Sequence, residues 1–166
     1  MSLDSVRAFF AAHAPEIPVI VTEQSSATVP LAAAAHGVEP GQIAKTLSLR
    51  IGDEVVLVVA RGDARLDNRK AKAALGGKPR MLAQEEVEAL TGHPVGGVCP
   101  FGLATPLKVY CDVSLKAFAE VVPAAGSTHS AVRITPERMA ALTAAEWVDV
   151  CQDPAAPGAG AAAEEA

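Results

Sequence analysis

Residues 46–60 read TLSLRIGDEVVLVVA, and the fold class turns on this stretch. Leu47, Leu49 and Ile51 alternate with polar residues, the period of a half-buried strand. Gly52-Asp53 is a turn signal. Val55–Ala60 then runs without a polar residue, as expected of a strand buried on both faces at the centre of a sheet. The stretch therefore reads as an antiparallel hairpin with a half-buried first arm and a central second arm.

Helical signals flank the hairpin. Leu3, Val6, Phe9 and Phe10 recur at helical spacing, with Ser2 as N-cap and Pro15 and Pro18 as terminators. Val19-Ile20-Val21 reads as a short strand. Thr28 caps a second helix through Ala35, with Gly37 as its left-handed end residue. Pro40 opens a helical turn through Gln42 and Ile43. Beyond the hairpin, Leu66–Leu75 reads as a helix closed by Gly76-Gly77, and Gln84–Thr91 as one closed by Gly92. Lys108–Asp112, Val121–Val122, Ala131–Thr135 and Trp147–Val150 read as strands. Thr135 caps a helix with Pro136 at its first position, running to Leu142. Strands outnumber a simple β-α-β alternation and a hairpin is present, which favours a mixed α+β sheet over a doubly wound parallel one.

The chain has 166 residues, a length for one domain, and 50% hydrophobic against 20% charged residues excludes a disordered chain, a fibre or a coiled coil. The expected domain is 1–153. Residues 154–166 contain only Ala, Gly, Pro and Glu and are expected to form a disordered tail. A net charge of −5 excludes a uniformly basic nucleic-acid binder but not a local basic patch. Cys99, Cys111 and Cys151 form no C-x-x-C pair, which reads as free thiols in a reducing compartment. MSLDSVRAFF does not read as a signal peptide, and the longest apolar runs are too short for a membrane span. A cytoplasmic protein is expected.

Several residues could carry chemistry. Lys45, ahead of the first hairpin strand, suits a phosphate or carboxylate as a compact point donor, or it is a surface lysine at a strand end. Residues 93–103, HPVGGVCPFGL, hold three glycines and two prolines. Glycines there let backbone N–H groups approach a carbonyl or developing oxyanion. No Gly-Lys-Ser/Thr follows, so this is not a P-loop. Cys99 could act as a nucleophile with His93 or His129 as base, or it is a small buried hydrophobe. The histidines, His13, His36, His93 and His129, show no metal-ligand spacing, and no cofactor is expected. Gly126-Ser127-Thr128-His129-Ser130 could line a pocket or form a polar turn. Half of the basic residues lie in 61–80, and Arg65, Arg69 and Lys72 fall on one helical face at i, i+4, i+7.

Taken in order, the segments HGVEPGQIAKTLSLR, VLVVARGD, LDNRKAKAALGG, EEVEALTGHPVGGVCPFG, VYCDVSLKAF and AAGSTHSAVRITPERMAALT resemble the YbaK family of aminoacyl-tRNA deacylases, relatives of the editing domain of many bacterial prolyl-tRNA synthetases. The likeness covers about residues 15–145. Its specific motifs are I-A-K-T-L around Lys45 and T-G-x-x-x-G-G-V-x-P-F-G from Thr91 to Gly102. The resemblance implies a mixed, barrel-like sheet flanked by helices and hydrolysis in trans of a small wrong amino acid, such as Cys or Ala, from tRNA(Pro). It implies no cofactor, a water positioned by the tRNA's own ribose hydroxyl (or, for cysteine, the substrate thiol), and prolyl-tRNA synthetase as a partner. It assigns catalysis to Lys45, Gly96 and Gly97, and substrate contact to Cys99, Pro100, Gly102, Ser127 and His129. Arg65, Arg69 and Lys72 become tRNA contacts, and Asp112 a structural carboxylate. The competing readings are a non-catalytic module binding tRNA ends or a nucleotide, and a thiol hydrolase built on Cys99.

Overall fold

The computed structural model describes residues 2–152. Along the chain come α1 (Ser2–His13), β1 (Ile20–Val21), α2 (Val29–His36), a 3-10 turn at Pro40–Gln42, β2 (Ile43–Ile51), β3 (Glu54–Arg61) and α3 (Asn68–Leu75). Then follow β4 (Arg80–Met81), α4 (Gln84–Thr91), β5 (Lys108–Asp112), a 3-10 turn at Val113–Ala117, β6 (Val122–Pro123), β7 (Ser130–Ala131), α5 (Pro136–Thr143) and β8 (Glu146–Val148).

The hairpin organises the molecule. β2 and β3 pair antiparallel from Ala44↔Arg61 to Ile51↔Glu54. β3 takes β5 in parallel on its other edge, and β5 takes β8 in parallel. The outer edge of β2 carries two short strands: β4, antiparallel at Leu49 and Arg50, and β6, parallel at Ile43 and Ala44. β1 and β7 form a separate pair, tied to the β6 segment by the bridges Ala124↔Ala131 and Val121↔Ile134. The sheet is mixed, with helices packed around it.

The central position read for the second arm is observed: Leu57, Val58, Val59 and Ala60 of β3 are fully buried. The half-buried first arm is corrected. β2 is covered on both faces, because Leu47, Leu49 and Ile51 pack with Val58, Ala60 and Ala71 on one side. Ala44 packs with Leu57, Val59 and Val109 on the other. The polar residues Lys45 and Ser48 are buried with it.

The caps on α2 and α5 follow the sequence reading. Thr28 accepts from the Leu31 N–H and Gly37 closes α2 at φ 67°; Thr135 accepts from the Arg138 N–H. Several boundaries differ, among them the start of the first hairpin strand, which begins at Ile43 and so contains Lys45, and the last strand, which is Glu146–Val148. Ser2 is the first residue of α1 and its hydroxyl meets His93 instead of capping the helix. α3 starts at Asn68, not Leu66, because Asp67 accepts from the Lys70 N–H while Leu66 bridges Cys151. The strand read over Ala131–Thr135 is Ser130–Ala131, with Ile134 in a lone bridge. Asp112 is 1% exposed and accepts from the N–H groups of Ser114 and Val150, tying β5 to two following segments. The expected tail, 154–166, lies outside the described residues. Among the described residues no helix is long and apolar enough to cross a membrane.

Candidate functional site

A cavity of about 810 Å³ opens along the outer edge of β2. Its walls come from β2, the start of α2, β4 and α4, the Val95–Val98 stretch, β6 and β7. Val29, Ile43, Val87 and Val122 make much of it apolar, and Lys45, Thr46, Asp63 and Ser130 supply its polar groups. Such a volume suits a small-molecule site, typically about 300–1,000 Å³.

Lys45 is 9% exposed and is the one buried lysine among the described residues. Its Nζ donates to the Ala64 carbonyl at 2.5 Å. The neighbouring Asp63 is gripped by Arg61, which donates through Nε at 2.5 Å and a terminal nitrogen at 2.9 Å. That hydrogen-bonded guanidinium holds the Asp63 carboxyl below its ordinary value, with a smaller contribution from the Lys45 charge. Arg61 also stacks over the Phe118 ring at 4.9 Å. The ion pair is thereby fixed, and Asp63 stays an anion with little basicity.

The glycine loop divides in two. Gly96 and Val98 line the cavity. Gly97 does not: its N–H donates to Pro94, its carbonyl accepts from Gly126, and a Cβ there would lie 2.7 Å from the Ser127 backbone. The oxyanion role expected of Gly97 is corrected accordingly, since its only donor is spent inside the loop. Cys99, Pro100 and Gly102 are likewise off the cavity wall. Phe101 is buried against Phe10 at 4.7 Å and Phe9 at 5.6 Å. Gly102, at φ 60°, comes so close to α1 that a Cβ would sit 2.7 Å from the Ser5 carbonyl oxygen. This half of the loop seats α1.

The Cys99–His93 pairing exists but is chemically closed. His93 is fully buried, with Nε2 2.7 Å from the Phe101 carbonyl. A carbonyl only accepts, so Nε2 carries the proton and Nδ1 accepts from the Ser2 hydroxyl. Cys99 Sγ lies 3.6 Å from the protonated nitrogen, which is no base. Burial pushes the thiol up to about 12. His129 is exposed, with Nδ1 beside the Thr128 hydroxyl at 2.9 Å. The thiol-hydrolase reading fails on these contacts.

Neither Ser127 nor His129 lines the cavity. Ser130, which does line it, donates to the Ala125 carbonyl, so Ser127 donates to the Ser130 oxygen at 2.6 Å. Arg65, Arg69 and Lys72 do not share a helical face, because Arg65 precedes α3 and its carbonyl accepts from Gln152. Arg65 and Arg69 border a second, shallow depression with Asp67, Lys70 and Gln152, while Lys72 is exposed on α3. Among the described residues no cluster of His, Cys, Asp and Glu has the arrangement to hold a metal ion.

The sequence reading missed Thr46 and Asp63. Both stand in quoted motifs, I-A-K-T-L and VLVVARGD, yet their place at the cavity depends on which strands reach the outer edge of β2.

The comparisons with known proteins agree with this architecture. A family model of the aminoacyl-tRNA editing domain matches residues 23–142. The chain is 50% identical over 155 residues to the uncharacterized protein YwhH of Bacillus subtilis (strain 168), covering 92% of this chain and 99% of that one. It is 30% identical over 117 residues to EbsC of Enterococcus faecalis (strain ATCC 700802 / V583), assigned by name as a Cys-tRNA(Pro)/Cys-tRNA(Cys) deacylase, covering 69% of this chain and 71% of EbsC. Proline–tRNA ligase of Brachyspira hyodysenteriae (strain ATCC 49526 / WA1) is 39% identical over 71 residues, 42% of this chain but 12% of the ligase. A crystal structure assigned as a trans-editing enzyme for prolyl-tRNA synthetase matches at TM-score 0.85 and 35% identity, covering 92% of this chain and 98% of its own.

Proposed function

The chain belongs to the YbaK-like aminoacyl-tRNA editing family, and on that premise we propose that it clears a small wrong amino acid from tRNA(Pro) by hydrolysing the ester at the 3′ end, acting in trans. The observation that carries the reading is the buried Lys45 opening onto a largely apolar cavity of about 810 Å³. An aminoacyl ester is already activated, so a covalent nucleophile is not needed. Water adds to the carbonyl carbon, the bond to the ribose oxygen breaks, and that oxygen leaves with a proton from the water.

Each residue has a part in this scheme. Lys45 supplies a fixed positive charge in a poorly solvated wall, where it acts on the terminal phosphate or the carbonyl oxygen more strongly than in water. Gly96 lets the loop approach the substrate. Val29, Ile43, Val87 and Val122 favour a small, uncharged side chain such as that of cysteine or alanine. Asp63, locked to Arg61, is a poor general base, which suits a water positioned by the tRNA's own ribose hydroxyl. Arg65 directly follows Ala64, the acceptor of the Lys45 hydrogen bond, so Arg65 and Arg69 lead from the cavity toward an acceptor stem. Such an enzyme answers a limit of synthetase pockets, which reject a similar side chain by only about 1–3 kcal/mol.

The test is a deacylation assay on tRNA(Pro) carrying cysteine, alanine, serine or 2-aminobutyrate, with Pro-tRNA(Pro) as control and Lys45→Ala alongside. Selective hydrolysis of a mischarged species, lost in Lys45→Ala, is expected. Retained tRNA binding with no hydrolysis of any species would replace the reading with that of a binding module.

A further inference from the structure

Among the described residues β2 has one residue of open edge, and it faces the cavity. In a two-residue hairpin the pair that closes the turn exchanges both backbone hydrogen bonds. That pair is Ile51–Glu54, so Leu49, Leu47 and Lys45 also bond to β3, while Ala44, Thr46 and Ser48 turn their N–H and C=O groups outward. Two contacts verify this parity. The Leu82 N–H donates to the outward Ser48 carbonyl at 3.2 Å, and the N–H of Arg61, partner of Ala44, points away from β2 to Ser114 Oγ at 3.4 Å. β6 covers Ala44 and β4 with Leu82 covers Ser48 and Arg50, which leaves Thr46 between them. Thr46 lines the cavity, and its side-chain Oγ1 is buried with no hydrogen-bond partner among the described residues. Orphaned buried hydroxyls are rare in folded proteins and call for an explanation.

Resting on the deacylase reading, we infer that this open edge binds the α-aminoacyl group itself: the Thr46 carbonyl takes the α-ammonium and the Thr46 N–H takes the ester carbonyl oxygen. An α-aminoacyl ester carries one nitrogen donor and one carbonyl acceptor across a single Cα, the complement that one residue of an added strand presents to an edge. The N–H then faces the oxygen that becomes negative when water adds, the position of an oxyanion donor. Lys45 and Thr46, being successive residues, project from opposite faces of the strand. Both line the cavity.

The experiment uses the full chain and the mischarged tRNA(Pro) species named above. Each is compared with its N-acetylated form and with the α-hydroxyacyl form made by nitrous-acid deamination, as enzymatic rate over the spontaneous rate of the same ester. Loss of the α-ammonium is expected to lower that acceleration about 100-fold for the N-acetyl form and about 10-fold for the α-hydroxyacyl form, the range for hydrogen bonds to charged groups. Equal acceleration of all three forms would overturn the inference and leave the deacylase reading standing; no hydrolysis of the unmodified species would overturn both.

Discussion

The buried polar clusters around His93 and around Lys45 differ in how completely the protein satisfies them. Around His93 the ledger is closed: Ser2 donates to Nδ1, Nε2 donates to Phe101, and Cys99 is sealed beside them. Around Lys45 it is open: the cavity reaches the lysine, and Thr46 keeps a buried hydroxyl and a strand edge without protein partners among the described residues. From residue types alone the Cys–His cluster looks the more chemical of the two. Geometry reverses the order, because a group whose hydrogen bonds are all made inside the fold has none left for a substrate.

The largest effect expected from this contrast is on activity. Lys45→Met keeps the aliphatic stem and deletes the charge. It should lower single-turnover deacylation about 100- to 1,000-fold, the scale of losing a preorganised electrostatic contact to a developing oxyanion. The neighbouring Asp63 keeps its two hydrogen bonds from Arg61 in this variant, so the fold should survive. Near-normal turnover in Lys45→Met would take the lysine out of the site and leave the contrast without its open member.

The closed cluster should respond in stability. Gly102 has φ 60° and meets the Ser5 carbonyl where a Cβ would be. Gly102→Ala combines backbone strain with a clash against α1 and should cost about 2–3 kcal/mol in urea unfolding. Turnover per folded molecule should be kept. A variant of wild-type stability that has lost activity would return this half of the loop to the substrate.

How far the sequence carried can be judged on these same residues. Hairpin, caps and helix ends were legible because each depends on neighbours a few positions away: Thr28 and Thr135 as caps, Gly37 and Gly92 as ends, the 46–60 alternation as strands. Lys45 and the glycine loop were legible as candidates through their motifs. What was not legible is which half of the loop faces the cavity, because α1, some 90 residues away by chain, decides it through Ser2 and Ser5. The start of α3 was misplaced since Leu66 is drawn into a bridge with Cys151, a partner no local pattern announces. The open edge at Thr46 was invisible for the same reason: it is a gap between two strands, β4 and β6, that come from distant parts of the chain.

Cys99 gives a smaller and complementary test. With the thiol buried and pushed up to about 12, native protein at pH 8 should resist iodoacetamide at this position until it unfolds. Cys99→Ala should leave deacylation unchanged and cost about 1 kcal/mol through lost packing. Rapid alkylation of Cys99 in folded protein, coupled to loss of activity, would reopen the thiol reading.

The smallest expected effect is in the pH dependence of stability, and it measures how tightly the His93 cluster is closed. Burial holds His93 below its ordinary value of 6.5, an effect its hydrogen bond to Phe101 only partly offsets. In the folded protein the ring therefore stays neutral while the same ring in the unfolded chain begins to take up a proton near 6.5. The unfolded state then binds more protons, so stability falls with falling pH, starting near 6.5 and continuing until the folded ring titrates too. One proton limits the slope to about 1.4 kcal/mol per pH unit. His36, also lowered by burial and by Arg133, adds to the same limb, so the contribution of His93 must be read as a difference. His93→Gln can keep a donor toward Phe101 and an acceptor toward Ser2 without titrating. Urea midpoints at pH 7, 6 and 5 should fall less steeply in His93→Gln than in the parent chain. Parallel curves would mean that the folded ring protonates as readily as the unfolded one, and that the Ser2–His93–Phe101 arrangement opens to water.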